Sequence, residues 1–143
     1  MPKVHRHALV MYSAKQMYDL VNDVAAYPQF VPDCMAVDVI SKTSTELKAS
    51  VQIGKASIGK WFTTHNKMQD GQSVEINLID GPFKKLVGLW QFIPLDDEAC
   101  KVVLDLDFEF SSKIIEVAFG SIFNHMANNM VKAFTQRAKE VYA

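Results

Sequence analysis

Cysteine is scarce. Two residues, Cys34 and Cys100, occur in 143. They show no CxxC spacing and no histidine placed to complete a zinc site, so a disulfide framework and a zinc site are both excluded and two reduced thiols are expected. Six glycines and five prolines are too few for a low-complexity chain. Charge of neither sign dominates: 15 Lys and Arg face 16 Asp and Glu, for a net charge of -1. A domain that holds nucleic acid by bulk charge needs a basic excess, so DNA is not an expected partner. No apolar run approaches the roughly 20 residues of a membrane span. The segment Met1 to Tyr12 lacks the apolar core of a signal peptide. The expectation is a cytoplasmic protein with at most peripheral membrane contact. The GxSxG, P-loop and HExxH patterns are missing too.

Hydrophobic residues make up 49% of the chain and charged residues 22%, the balance of a globular domain. A chain this long buries about 68–70% of its unfolded surface without help from a metal. No linker or repeat divides it, so residues 1–143 read as one domain.

The elements follow from periodicity. Lys3 to Tyr12 alternates loosely and predicts a strand. Ser13 and Gln16 predict a capping box opening a short helix, with Met17, Leu20, Val21 and Val24 on its apolar side. Two prolines in Tyr27–Pro32 limit that segment to a short turn. Strands are expected at about Met35–Lys42, Leu47–Ala56, Lys60–Gln69, Ser73–Ile79, Lys84–Ile93 and Cys100–Phe110, with turn residues between them. The gaps are too short for parallel crossovers, so the strands pair antiparallel. In the last strand Val102, Leu104, Leu106, Phe108 and Phe110 share one face, and Asp105, Asp107 and Glu109 the other. From Ser112 the period changes to 3.6. Ile115, Phe119, Ile122, Phe123, Met126, Met130, Phe134, Ala138 and Val141 then make a helical stripe about 30 residues long.

About seven strands at 4.8 Å spacing form a sheet about 34 Å wide, and one helix is about 10–12 Å across. The sheet therefore has to curl around the helix. The predicted class is α+β, a curved antiparallel sheet gripping a long C-terminal helix, with an apolar gap between them that takes a hydrophobic small molecule. Gly88, inside a strand of large residues, marks a bend or a close approach.

Candidate ligand-binding residues are Trp61, Phe62, Leu86, Trp90, Phe92, Leu106, Phe108, Phe119, Phe123, Met126 and Met130, which either line that gap or form ordinary core. Phe30 is either a gate at its rim or part of a proline-stiffened connection. Val87 and Leu89 make the second face of their strand apolar, which suits either a partner surface or a face covered by another element. Lys42, Lys48, Lys55, Lys60 and Lys67 predict a basic side of the sheet, with Lys48 and Lys60 as partner-binding candidates, and Asp96 to Glu109 an acidic side. The alternative is a solvated surface. His5 and His7 share a face but lack a third metal ligand.

Val21-Asn22-Asp23-Val24 and Tyr27-Pro28-Gln29-Phe30-Val31-Pro32-Asp33-Cys34 resemble the signature of the START-like coenzyme Q-binding, polyketide cyclase-like family. Asp80-Gly81-Pro82-Phe83-Lys84-Lys85-Leu86-Val87-Gly88-Leu89-Trp90 resembles its bacterial branch of ribosome association toxins, and Phe119-Gly120 and Asn129 to Tyr142 are similar to that branch as well. The resemblance spans about Lys3 to Tyr142. It implies the helix-grip fold and non-enzymatic binding of ubiquinone or a similar isoprenoid lipid in support of respiration, with no tightly required cofactor. Alternatively, it implies a toxin that binds the large ribosomal subunit and blocks subunit joining. Some helix-grip proteins are cyclases or dehydratases, and that chemistry needs a carboxylate or histidine facing the pocket, where the assignable inward positions are apolar.

Overall fold

Period-two patterning broken by short turns builds seven strands ahead of one long helix. The computed structural model describes residues 3–55 and 58–142. In chain order they form β1 (Lys3–Val10), α1 (Ala14–Asn22), a 3-10 turn (Val24–Gln29), β2 (Cys34–Lys42), β3 (Glu46–Lys55), β4 (Ile58–Gln69), β5 (Ser73–Asp80), β6 (Phe83–Asp96), β7 (Ala99–Phe110) and α2 (Lys113–Val141). The expected end of β3 at Ala56 lies outside the described residues. The sheet order is β1-β7-β6-β5-β4-β3-β2, and neighbours pair antiparallel throughout. This is the α+β helix-grip architecture: β2 to β7 form a meander, and β1 returns to pair with the last strand.

Both helices cover the same face of the sheet. Tyr18 of α1 meets Phe92 edge-on at 5.9 Å, and Phe134 of α2 meets Trp90 at 5.3 Å. Local chemistry starts each helix. Ser13 accepts from Gln16 N–H, and the Gln16 side chain accepts from Ser13 N–H, so two otherwise orphaned donors are satisfied. Ser112 caps α2 through Ile115 N–H at 3.2 Å. The stripe on α2 buries Phe119, Phe123, Met126, Phe134 and Ala138, but Val141 is half exposed.

An aromatic cluster fills one end of the concave side. Phe123 lies 4.8 Å from Phe108, 4.9 Å from Phe83 and 6.0 Å from Phe62, all tilted or edge-on. Gly88 is a close-approach point: a Cβ there would sit 2.6 Å from Leu106 Cδ2. Gly120 is not such a point, because a Cβ there would meet Phe110 Cε2 at an ordinary contact distance of 3.4 Å.

The convex face corrects three expectations. Trp61 is 48% exposed, whereas Phe62 is buried. Strand pleating sends adjacent side chains to opposite faces, so Trp61 cannot line an interior gap. Lys48 pairs across from His65 and Lys60 from Ile53. Positions 48 and 53 on one unbroken strand have opposite parity, so Lys48 and Lys60 point to different faces and form no common basic side. The acidic row on β7 is neutralised locally: Lys85 binds Asp107 at 2.7 Å, Lys84 lies 3.5 Å from Glu109, and His5 pairs with Asp105. Val87 remains 43% exposed on this face, with Leu89 half-buried beside it. Both described helices lie on the opposite face.

Candidate functional site

Between the sheet and the middle of α2 the side chains leave an apolar cavity of about 80 Å³. Its wall begins with Ala49, Val51 and Ile53 of β3 and with Phe62, Thr64 and Asn66 of β4. Ile76 of β5 and Trp90 of β6 continue the sheet side. Met126 and Met130 of α2 form the opposite wall. Val24, Tyr27, Val31 and Cys34, from the 3-10 turn, the loop after it and the start of β2, close the remaining side. The gap lies where the aromatic cluster stops and the helix presents methionines, whose flexible chains adapt to what they meet.

Of the sequence candidates, Phe62, Trp90, Met126 and Met130 are brought together in this wall. Leu86, Phe92, Leu106, Phe108, Phe119 and Phe123 are buried in the core beside it, where they pack against one another. Phe30 stands outside the wall, edge-on to Phe134 at 5.0 Å and beneath the Arg137 guanidinium at 5.0 Å. The rim residues that do line the cavity are its neighbours Tyr27 and Val31. The proposed gap is thus present but narrow. Pockets for drug-sized ligands measure about 300–1,000 Å³, so a ligand of that size has to move the methionines or the turn.

Two titratable groups line the cavity. The Tyr27 hydroxyl donates to the Val21 carbonyl, and burial raises its pKa. The Cys34 thiol is pushed up to about 11 by burial. Both stay neutral at ordinary pH. The turn is tied to its surroundings by Asp33. Its carbonyl accepts from Gly54 N–H at 2.9 Å, and its carboxylate lies 3.0 Å from His125 Nδ1 and 3.7 Å from Lys55 Nζ. Arg137 adds a second tie, donating to Gln29 Oε1 at 3.0 Å.

Residues 10–135 match the family model described as polyketide cyclase / dehydrase and lipid transport. The chain belongs to that family. Within the polyketide cyclase / dehydrase and lipid transport family, it is 54% identical to the ribosome association toxin RatA of Escherichia coli K12, over 100% of this chain and 90% of that protein. It is 32% identical to the mitochondrial coenzyme Q-binding protein COQ10 of Drosophila melanogaster, over 92% of this chain and 56% of that one. Among solved structures, the Zhui aromatase/cyclase from Streptomyces sp. R1128 superposes with a TM-score of 0.86 at 14% identity, covering 99% of this chain and 96% of that one. That similarity concerns the fold of the family alone.

Among the described residues no group of three or more His, Cys, Asp or Glu is placed to hold a metal ion. His5 is engaged with Asp105. No described helix is long and apolar enough to cross a membrane.

Of the fourteen wall residues, ten were not among the sequence candidates, and two of these are polar. Thr64 and Asn66 are buried polar residues, 7% and 8% exposed. The signal was in the strand: alternation from Phe62 through Met68 puts both on the inward face.

Proposed function

We propose that this chain works by binding, without catalysis, and that the cavity under α2 takes an isoprenoid-type lipid such as ubiquinone. The observation that carries this reading is the cavity itself. It is walled mainly by apolar side chains, among them Trp90 and two adaptable methionines, and its titratable groups, Tyr27 and Cys34, are held neutral. A general acid or base needs a pKa near the working pH. Both groups lie far from it, which favours binding over cyclisation. The name of the Drosophila relative points to the same ligand class. Protein purified from its own host should release such a lipid into organic solvent. Protein that is empty and also ignores added quinone would count against the reading.

A second reading is favoured by a separate observation, the match along the entire chain to relatives named for ribosome association. On it the chain docks on the large ribosomal subunit, and the bound lipid regulates that docking. Sedimentation with purified large subunits tests it. Lys48→Glu and Lys60→Glu, made separately because the two side chains face opposite ways, identify the docking face. Failure of the unaltered protein to cosediment would refute this reading and leave the lipid reading standing.

A further inference from the structure

We infer that Thr64 and Asn66 are the polar end of the cavity and select a ligand whose head carries a neutral carbonyl oxygen. This inference rests on the lipid-binding reading and adds the chemistry of the head group.

Strand β4 faces the helix with Phe62, Thr64, Asn66 and Met68, all buried. Two apolar residues there would have been the simple solution for a core strand. Instead the strand carries the buried polar pair, and both members line the cavity. Thr64 Oγ1 donates to Asn66 Oδ1 at 3.1 Å. That bond occupies the amide oxygen. An asparagine amide also has two N–H donors, and among the described residues the hydrogen bond found at the Asn66 side chain uses Oδ1, not Nδ2. Nδ2 is not one of the fully buried atoms left without a partner, so it keeps accessible surface in a residue that lines the cavity. A ligand that supplies an acceptor can pair with it.

The rest of the wall narrows the ligand. The Tyr27 hydroxyl is committed to the Val21 carbonyl and cannot compete for the head. No Lys, Arg or His lines the cavity, so a carboxylate or phosphate head would enter without a counter-charge. A neutral acceptor remains. The indole of Trp90, 1% exposed and in the wall, suits a flat conjugated head, and the methionines suit an apolar tail. The class is therefore a ring-borne ketone or quinone on a hydrocarbon tail, in preference to a fatty acid or a plain hydrocarbon.

Three probes with one tail length test this on the full chain by titration calorimetry: a decyl-substituted benzoquinone, decylbenzene and decanoate. The unaltered protein should bind the quinone about tenfold or more tightly than decylbenzene, the value of one good hydrogen bond, and decanoate least. Asn66→Leu should lose the preference while still binding decylbenzene. Thr64→Val, which leaves the amide in place with its oxygen released, should weaken it less. A second readout needs no variant. The infrared carbonyl stretch of the bound quinone should move to lower frequency than in hexane. An unshifted stretch, or a preference that survives Asn66→Leu, overturns the selector role while the lipid-binding reading stands. If none of the three probes binds the unaltered protein, the lipid-binding reading falls and this inference falls with it.

Discussion

The carboxylate of Asp33 and the imidazole of His125 meet at 3.0 Å, joining the loop before β2 to the middle of α2. Their chain neighbours Cys34 and Met126 both line the cavity, so the pair holds two of its walls together. Asp33 also has a φ of 62°, a left-handed value uncommon outside glycine. Its side chain is 8% exposed. Asp33→Ala removes the ion pair and leaves a methyl-bearing residue in that backbone region. It should cost about 2 kcal/mol in urea unfolding. Asp33→Gly accepts the backbone and should cost less. Equal losses for the two variants would show that the backbone conformation contributes nothing.

Cavity volume is the second target. Ala49 is 1% exposed and faces the gap. Ala49→Leu should fill it, raising stability by about 0.5–2 kcal/mol as cavity-filling changes do, and should abolish uptake of apolar probes. Calorimetric binding together with thermal melting checks both. A variant that is more stable yet still binds would place the ligand elsewhere.

Backbone geometry gives a third prediction. At Gly81, φ is 151° and a Cβ would lie 2.5 Å from Phe62 Cβ; at Gly88 the nearest atom, 2.6 Å away, is the end of the Leu106 side chain. A Cβ cannot push back another Cβ, but a leucine methyl can rotate. Gly81→Ala should therefore lower the denaturation midpoint more than Gly88→Ala, and the reverse order would contradict the packing described for the β5–β6 turn.

Burial gives a fourth, through pH. The Cys34 thiol is pushed up to about 11, above the ordinary value of about 8.5. A raised thiol pKa means that folding favours the neutral form. This contribution is fully present below about pH 8.5 and is lost as pH rises through about 11. Folded protein should thus react with iodoacetamide at Cys34 far more slowly at pH 8.5 than a free thiol does, because the thiolate is the nucleophile. Labelling as fast as in unfolded protein would show that the thiol is not shielded.

The fold was legible because its two longest elements carry unambiguous periods. The inward row of β7, from Val102 to Phe110, and the α2 stripe state their faces without reference to any neighbour. The capping box at Ser13 was equally local. The site was less legible because a cavity is where packing fails to close, and that depends on neighbours distant in sequence. Trp61 and Phe62 are adjacent aromatics, and only the register of β4 against β3 and β5 decides which of them faces in. Val24, Ile53 and Ile76 are ordinary strand or turn residues whose meeting across the gap no local pattern announces. Lys48 and Lys60 were grouped by proximity in sequence, but the hairpin between them sets them on opposite faces.

The two tryptophans offer the most direct test of the central claim. Trp90 is 1% exposed in the cavity wall, and Trp61 is 48% exposed on the convex face. With decyl-substituted benzoquinone added to nitrogen-15 labelled protein, the indole N–H resonance of Trp90 should shift and that of Trp61 should not. The methyl groups of Met126 and Met130 should follow Trp90. A shift confined to Trp61, or no shift in either at saturating quinone, would contradict a ligand site beneath α2.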